Sequence, residues 1–343
     1  MFLRALRAAA LFAGLSSAAH AQPTELVFNS YLPAGDPAQK TAVLDFARRI
    51  EAESAGTLKV AIPESSLAPS PEQWDLVTRK GADIVIVAHY SQRVRLKLPM
   101  IADLPLNALS AESASMALWD VQQKFFSSAN EYAGVKLLAM YVLPPRQLIV
   151  NRAIKAYEDF ESMKIWAPAG DLTDLVRGLG AAPVYSTLAD LHEYAAKKSV
   201  DAFLIGPGTI AQEKVDVHGQ TMLELPGGFG SVSFSIVMNA DTWNRLTNAQ
   251  RAAVQRAASG LPQRVGRAFD ERERAGVERL GLTINHPSAD LLRRMQWLLK
   301  RQELGWIEMA RVRGIGQPEI VLKAYREEME RSYHGPAVVG GQQ

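Results

Sequence analysis

Apolar and polar positions along the first half of the chain predict strands and helices in turn. Mostly apolar runs predict strands at residues 25–30, 58–62, 83–88, 135–142 and 147–151, and helical spacing predicts helices at residues 41–55 and 71–80. The run after Asp83 is apolar without interruption, which is typical of strands in parallel sheets. The first three strands alternate with the two helices, and this order predicts a doubly wound α/β domain.

Residues 180–207, GAAPVYSTLADLHEYAAKKSVDAFLIGP, carry the most informative local pattern. Thr187 and Asp190 have the spacing of a capping box, and apolar residues follow at helical intervals. Residues 200–205 then have the composition of a buried strand, which ends at Gly206. The segment predicts a helix that leads into a strand whose exit loop can face a ligand. The alternative is an ordinary structural unit, because any α/β protein contains helix and strand pairs of this kind.

The last third of the chain is predicted to be mainly helical. A capping box at Thr247 and Gln250 starts a helical pattern that continues to Leu280, and one continuous helix would be roughly 50 Å long. Pro262, with Gly260 before it, should either kink or break this helix. The prediction is completed by a strand at residues 282–285, helices at 289–311 and 319–333, and a disordered tail at 335–343.

The first 21 residues have the composition of a secretory signal peptide. Arg4 and Arg7 precede an apolar run at residues 8–15, and Ala-His-Ala at residues 19–21 fits the cleavage pattern. The apolar run is too short to span a bilayer. We predict export to the periplasm, cleavage near Ala21 and a mature chain long enough for two domains. The chain has no cysteine, which excludes a disulfide framework and a lipid anchor on cysteine.

The charge balance argues against a nucleic-acid or membrane-surface partner. The chain has 38 basic and 36 acidic residues, and loss of Arg4 and Arg7 with the signal peptide leaves 36 of each. A nucleic-acid binder would show a basic excess or stripe. The only short basic cluster, at Arg93, Arg95 and Lys97, is interpreted as a solvated face.

No catalytic or metal-binding motif in the sequence is complete. His192-Glu193 begins a zinc-protease pattern, but Ala196 stands where the second metal ligand is needed. The chain contains no P-loop, no G-x-S-x-G elbow and no cysteine nucleophile, and its six histidines lack metal-ligand spacing. We therefore predict no enzyme activity, no cofactor and no bound metal.

Several segments resemble the solute-binding proteins of tripartite ATP-independent periplasmic (TRAP) transporters, a DctP-like family. Residues 180–201 resemble the family signature, which is a small-Ala-Pro turn, a capped helix with an acidic residue and a Val-Asp-Gly return to a strand. Residues 81–84 (GADI), 104–106 (LPL) and 157–166 (YEDFESMKIW) are similar to further family segments. The resemblance implies a two-lobed periplasmic binding protein fold, in which crossover strands and a long helix spanning both lobes join two doubly wound α/β domains.

The resemblance also implies how the chain divides between the lobes. The chain should cross into the second lobe near residues 141–146 and return at residues 234–239, so that the two crossings form a hinge. We assign residues 22–143 and 232–281 to the first lobe, and residues 144–231 and 282–334, with the C-terminal helices, to the second.

The family's usual carboxylate-binding arginine is absent from its expected position. That arginine uses a planar fork that matches a carboxylate, whereas this chain has Trp166, whose indole offers one N–H and a large apolar face. A second family arginine matches Arg146 in the segment RQLIVNR at residues 146–152. We expect Arg146 to contact an anionic ligand group. The alternative is a structural arginine paired with a nearby carboxylate.

Aromatic side chains are expected to line much of the binding site. Polar residues of the family after Val-Asp-Gly are replaced by the apolar residues 202–205. The aromatic residues that the resemblance places near the cleft are Tyr31, Trp74, Tyr90, Trp166, Tyr185 and Phe203. Such a site would suit an aromatic or alkyl acid, or a cationic or zwitterionic solute held over indole faces. The alternative is that some of these residues belong to the core.

The function implied by the resemblance is capture of a small organic solute, in particular a monocarboxylate, and its delivery to a TRAP-type membrane permease. Closure of the lobes would exclude water and strengthen the polar contacts inside. Two other functions stay open at this point: presentation of a ligand to a periplasmic sensor, and a secreted enzyme on a similar scaffold. The oligomeric state is also open between a monomer and a dimer that exchanges a C-terminal helix.

Overall fold

The computed structural model describes residues 22–168, 173–186, 188–215, 217 and 220–335. The signal peptide, Thr187 of the expected capping box and residues 336–343 of the tail lie outside the described residues. The strands are β1 (Thr24–Asn29), β2 (Leu58–Ala61), β3 (Ile84–Ala88), β4 (Val135–Val142), β5 (Gln147–Val150), β6 (Lys164–Pro168), β7 (Ala182–Ser186), β8 (Ala202–Ile205), β9 (Thr221–Leu223), β10 (Ser233–Asn239) and β11 (Thr283–Asn285). The helices are α1 (Asp45–Glu53), α2 (Gln73–Thr78), α3 (Ala111–Val121), α4 (Thr173–Gly178), α5 (Leu191–Ala196), α6 (Pro207–Gln212), α7 (Ala240–Arg245), α8 (Asn248–Ala258), α9 (Leu261–Leu280), α10 (Ala289–Val312) and α11 (Pro318–Ser332).

The first sheet has the strand order β2-β1-β3-β10-β4. Strand β1 is parallel to β2 and β3, whereas β10 is antiparallel to β3 and β4. All five residues of β3 are buried, as its uninterrupted apolar sequence predicts. Helices α1, α8 and the first half of α9 cover one face of this sheet, where Phe46, Val254 and Phe269 join the core. The predicted α/β organisation of this region is confirmed.

The second sheet has the order β11-β9-β5-β8-β6-β7 and apolar clusters on both faces. Strand β8 shows the alternation: Ala202 and Leu204 are buried on one face, and Phe203 and Ile205 on the other. The turn expected from the small-Ala-Pro pattern lies at Leu179 and Gly180, where Gly180 has φ +80°, and Pro183 already lies inside β7. Strand β7 is at the end of the strand order, and an edge strand tolerates a proline since it needs no further ladder hydrogen bond.

Two adjacent segments carry the chain between the sheets. Residues 143–146 lead from β4 to β5, and residues 224–232 lead from β9 back to β10. Backbone hydrogen bonds join the two segments: the Leu143 N–H donates to the Val232 carbonyl over 2.8 Å, and the Arg146 N–H donates to the Gly230 carbonyl over 2.9 Å. The crossings therefore form one paired strap rather than two independent linkers.

The helical pattern predicted from Thr247 to Leu280 is two helices. The capping box is confirmed, since Thr247 Oγ1 accepts from the Gln250 N–H over 3.2 Å and Gln250 Oε1 accepts from the Thr247 N–H over 3.0 Å. Helix α8 then ends before Gly260, which has φ +67°, and Pro262 lies in the first turn of α9. The helix is broken rather than kinked, because left-handed backbone at Gly260 cannot continue an α-helix.

Helices α9 and α10 both pack against the two sheets. Val265 and Phe269 of α9 lie in the first-sheet core, whereas Val277 and Leu280 pack against a cluster on the second sheet. Helix α9 has 20 residues and so is roughly 30 Å long, which is enough to cover both lobes. Within the described residues, no helix has the length and apolar character needed to cross a membrane.

The C-terminal helices correct the expected lobe boundary. The first half of α10 packs on the second sheet through Leu291 and Met295, but its last turns place Trp306 in a core shared with α3. Helix α11 also packs on α3 in that core, through Val321 and Tyr325. The chain therefore returns to the first lobe after residue 300, because the 24-residue α10 reaches from one lobe to the other.

Candidate ligand-binding cleft

A cavity of about 240 Å³ lies where the two lobes, the paired strap and α9 meet. Each of these parts contributes to its wall. The described residues that line the cavity are Tyr90, Leu143, Pro144, Arg146, Pro168, Leu188, Ile205, Gly206, Thr209, Val232, Phe234, Arg272 and Glu273. Most of them are apolar, and the charged groups are two arginines and one glutamate.

Arg146 is the predicted site residue that the cavity position supports best. It stands at the end of the strap, directly before β5, and only 9% of it is exposed. Its backbone is fixed on both sides, since its N–H donates to Gly230 and its carbonyl accepts from the Phe229 N–H over 2.9 Å. Arg146 therefore belongs to a rigid crossing segment and is one of the residues that line the cavity between the lobes.

Arg272 and Glu273 on α9 are lining residues that the sequence reasoning missed. Arg272 Nη2 donates to Glu273 Oε1 over 3.0 Å and to Thr209 Oγ1 over 3.2 Å. The guanidinium carbon lies 4.9 Å from the centre of the Phe269 ring. A signal was present in the sequence, because residues three and four positions after buried Phe269 share its helix face. Two charged residues on that face indicate a polar site rather than core.

Glu273 is held by the first turn of α6 in the second lobe. Its Oε2 accepts from the Gly208 N–H over 2.8 Å. A Cβ atom at Gly206 would lie 2.5 Å from Glu273 Oε2, and one at Gly208 would lie 2.6 Å from Glu273 Oε1. A Cβ atom at either position would displace the carboxylate, and at Gly208 it would also lie 2.9 Å from the Arg272 backbone carbonyl oxygen. The Gly-Pro-Gly sequence at residues 206–208, which follows β8, thus forms a surface on which α9 packs.

Trp166 does not line the cavity, which corrects the expectation. It is fully buried beside Phe203, with the ring centres 6.2 Å apart, and its indole N–H donates to Ser186 Oγ over 2.8 Å. Phe203 is 3% exposed and lies in the same cluster. The strand alternation places both rings on the face of the second sheet that α5 and α6 cover, so they belong to the core.

Trp74 and Tyr185 are also outside the described cavity wall. Trp74 is 3% exposed in a core on the first sheet, with the Arg95 guanidinium carbon 4.7 Å from its ring centre. Tyr185 of β7 is paired with Ala167 and packs against the cluster on the face of the sheet opposite to Trp166. Large apolar rings gain more free energy from such burial than from exposure in a cleft.

Tyr90 lines the cavity. Tyr31 does not line it, and packs with Tyr90 against the first-lobe core. The Tyr31 hydroxyl is buried, and this burial raises its pKa. The loop that follows Tyr31 reaches the second lobe, since a Cβ atom at Gly35 would lie 3.6 Å from Gln212 Nε2 on α6. In the same loop, burial raises the pKa of Asp36, and the nearby Arg272 opposes that shift.

A larger groove, of about 790 Å³, lies on the outer surface of the first lobe. Its described wall comes from α3, β4, the break between α8 and α9, and Glu328 of α11. All of these elements pack around the first sheet. We therefore assign ligand capture to the smaller cavity, because its described wall combines both lobes, the strap and α9, whereas the described wall of the groove comes from the first lobe. Among the described residues, no group of three or more potential metal ligands is present.

Residues 28–296 match the family described as bacterial extracellular solute-binding protein, family 7, or DctP. The chain belongs to this family. Members of the DctP family are periplasmic solute-binding proteins, and not enzymes, so the predicted family, fold and binding function are confirmed. The family match does not favour the sensor and enzyme alternatives. TRAP solute-binding proteins bind small organic acids and work with a membrane permease.

Individual relatives share the DctP fold over nearly their whole length. The chain is 29% identical to the outer membrane transporter protein TsaT of Comamonas testosteroni, over 95% of this chain and 98% of that protein. A TRAP periplasmic solute-binding protein of Bordetella bronchiseptica with bound (R)- and (S)-mandelate has a TM-score of 0.79 at 24% identity, covering 90% and 99% of the two chains. A Desulfovibrio salexigens TRAP protein has a TM-score of 0.81 at 21% identity, covering 92% and 98%.

Proposed function

We propose that this DctP-family protein captures a small monocarboxylate with an apolar, aromatic body between its lobes and delivers it to a TRAP-type permease. The observation that supports this proposal is the shared cavity wall: the Arg146 guanidinium lies on the same interlobe cavity as Tyr90 and Phe234. An arginine fork matches a carboxylate, and the aromatic rings match an apolar body.

The size and lining of the cavity narrow the ligand class. A volume of about 240 Å³ is below the roughly 300–1,000 Å³ of sites for drug-sized ligands, which favours a solute with a single ring. Leu143, Val232 and Phe234 supply apolar surface, while the described wall carries two arginines and one glutamate. This charge balance favours a monovalent anion over the cationic solute that the aromatic residues alone left open.

The ligands of structural relatives support the same class. Besides the mandelate-bound protein, a marine metagenome TRAP protein is described as specific for aromatic acids and binds 3-hydroxybenzoate. A Rhodoferax ferrireducens TRAP protein copurified with benzoate, and DctP6 of Bordetella pertussis binds pyroglutamic acid. Benzoate, 3-hydroxybenzoate, mandelate and pyroglutamate are therefore the first compounds to test on this chain.

Export, lobe motion and oligomeric state complete the proposal. The leader is removed near Ala21, and the mature protein works in the periplasm as a hinged pair of lobes that closes on its ligand. The first lobe comprises residues 22–143 and 232–281 together with the last turns of α10 and with α11. We propose a monomer, because α10 and α11 pack Trp306, Val321 and Tyr325 into a core of their own chain. Four other apolar side chains of these helices stay exposed in that monomer: Trp297, Leu304, Val312 and Ile320.

A thermal-shift screen of the mature protein tests the ligand class. A ligand that binds only the native state at 100 times its Kd stabilises it by about 2.7 kcal/mol, so an aromatic monocarboxylate should raise Tm by several degrees. Benzylamine and the neutral benzamide serve as matched controls of similar shape. A shift with benzylamine and none with the acids would contradict the proposal.

A further inference from the structure

The Arg272 guanidinium combines hydrogen-bonded donors with one donor that has no acceptor among the described residues. Only 17% of the side chain is exposed, and its Nη2 is held by Thr209 and Glu273. Its Nε is buried and has no hydrogen-bond partner in the described structure. A buried donor without an acceptor costs free energy, which a ligand oxygen would recover. Arg272 also lines the interlobe cavity, so a captured solute can reach it.

The position of this guanidinium is fixed before any ligand arrives. Glu273 is anchored to the Gly208 N–H, and Phe269 lies under the face of the Arg272 guanidinium. Helix α9 packs closely on the first turn of α6, since a Cβ atom at Gly276 would lie 2.5 Å from the Gly208 nitrogen. A contact held in this way loses little conformational entropy when a ligand binds.

Position 166 cannot supply the missing cation. The Trp166 side chain is fully buried, and its single N–H already donates to Ser186. Arg146 and Arg272 line the same cavity from two different elements, the strap and α9. Together with Glu273 they give the described wall a formal charge of one positive unit, which matches one carboxylate.

We propose that Arg272 supplies, from α9, the second carboxylate-binding guanidinium that position 166 lacks, and that Arg272 and Arg146 together select monocarboxylates. The inference deepens the proposed function and rests on it. Arg272 is thus the specificity-determining residue for the charge of the ligand, while the apolar wall determines its shape. Since α9 packs on both lobes, a carboxylate bound to both arginines links the strap to this helix.

Isothermal titration calorimetry on Arg272→Gln tests the inference, with benzoate and (R)-mandelate as probes. Loss of one charge-assisted contact should weaken the binding of both acids by about 10- to 100-fold. Arg272→Lys should give an intermediate loss, because it keeps the charge and loses the fork. The matched control is Arg267→Gln on the same helix, whose guanidinium pairs with Glu112 and does not line the cavity, and its Kd should stay within about twofold of wild type.

A neutral probe separates recognition of charge from general damage to the site. The wild-type protein should bind benzoate more tightly than benzamide. In Arg272→Gln the ratio of the two affinities should be smaller, because benzoate binding should weaken more than benzamide binding. If Arg272→Gln weakened the binding of benzoate and benzamide by the same factor, or left the benzoate affinity unchanged, the proposed role of Arg272 would be overturned. If Arg272→Gln does not melt cooperatively, Arg272→Lys decides, and wild-type affinity in that variant would overturn the inference.

The outcomes also separate this inference from the function on which it rests. If Arg272→Gln bound the acids as tightly as wild type and Arg146→Gln bound them weakly, the proposed role of Arg272 would be wrong. Monocarboxylate capture would still be supported. Failure of the wild-type protein to bind any of the acids would remove the proposed function itself, and the inference with it.

Discussion

A buried tryptophan at position 166 changes what the cleft can offer an anion. The indole packs against Phe203, and its only N–H donates to Ser186. Position 166 therefore offers no cation in place of the arginine that the resemblance leads us to expect. The two arginines on the cavity wall come instead from the strap and from α9. Anion recognition is therefore a property of where side chains meet, and one position in a sequence motif does not decide it.

His89 is a second residue whose surroundings determine its chemistry. Its ring nitrogens lie 2.7 Å from Ser233 Oγ and 2.6 Å from Ser235 Oγ, and the Tyr132 hydroxyl is 3.3 Å from Nε2. Complete burial lowers the pKa of His89 from 6.5 to about 3. The folded protein therefore keeps this histidine neutral at pH values where the unfolded chain takes up a proton.

This difference predicts acid sensitivity. Between pH 6.5 and about 3 the unfolded state binds more protons at His89, so the stability should fall as the pH falls, by at most about 1.4 kcal/mol per pH unit from this group. Urea unfolding at pH 7 and pH 4.5 measures the change. The free energy of unfolding of His89→Gln should fall less steeply as the pH is lowered. The matched control is His192→Gln at an exposed histidine, which should show the wild-type pH dependence. An equally steep loss in His89→Gln would contradict the assignment.

Two of the site residues predicted from the sequence lie on the wall of the interlobe cavity. Arg146 and Tyr90 were assigned to the cleft and line it. Trp166 and Phe203 lie in a core instead, because strand alternation shows that two faces exist but does not show which one turns towards the cavity. Trp74 of α2 lies in a core on the first sheet. Arg272 was missed for a related reason, since the face that a helix turns towards a cavity is known only after the helix is packed.

At the scale of elements, the close packing of α9 on α6 is what places Arg272 and Glu273. Gly276 of α9 lies against Pro207 and Gly208, where an added Cβ atom would approach backbone atoms to 2.5 Å. By contrast, Gly305 in the middle of α10 has no atom within 4 Å of such a Cβ atom. The two glycines share a helical backbone and differ in surroundings.

The pair gives a matched test of this packing. An alanine gains up to about 1 kcal/mol over glycine in a helix interior, so Gly305→Ala should be neutral or stabilising. Gly276→Ala should instead destabilise by about 1–3 kcal/mol, because the new methyl group cannot be accommodated without moving backbone. Chemical unfolding of both variants measures the difference. A stabilised Gly276→Ala protein would show that α9 and α6 are not in close contact.

The predicted bounds of secondary-structure elements were most accurate where polar residues or glycines stand at both ends of an apolar run. The apolar runs bounded by polar residues and glycines became β1, β2 and β3 within one or two residues. The break before α9 could only be stated as one of two outcomes, because Pro262 fits the first turn of a new helix as well as a kink. Helix α3 was not predicted at all, and its small residues, which are buried against α9 and α11, give little periodic contrast.

At the scale of the whole molecule, the two lobes are held by the paired strap and by two helices that each reach both sheets. The resemblance predicted crossings at residues 141–146 and 234–239, and the segments that join the two sheets are residues 143–146 and 224–232. It also predicted the C-terminal helices on the second lobe, whereas the end of α10 and α11 pack with α3. Whether α10 returns to the first lobe depends on its length and on the Trp306 contact with the α3 core, and these are long-range facts that local pattern does not contain.

The same packing predicts a monomer in solution. Trp306, Val321 and Tyr325 already fill the core next to α3, so exchange of α11 with a second copy would only replace contacts that the monomer makes within its own chain. Sedimentation velocity on the mature protein should give a single species of monomer mass across micromolar concentrations. A stable dimer would contradict this account of the C-terminal helices.

The central claim is that a monocarboxylate binds between the lobes on the arginines of the strap and α9. A crystal structure of the mature protein with benzoate tests it most directly. The account predicts electron density for benzoate in the interlobe cavity, with its carboxylate on Arg146 and Arg272 and its ring against Phe234. Benzoate bound only in the outer groove beside α3, or in the cavity with its carboxylate away from both arginines, would contradict the account.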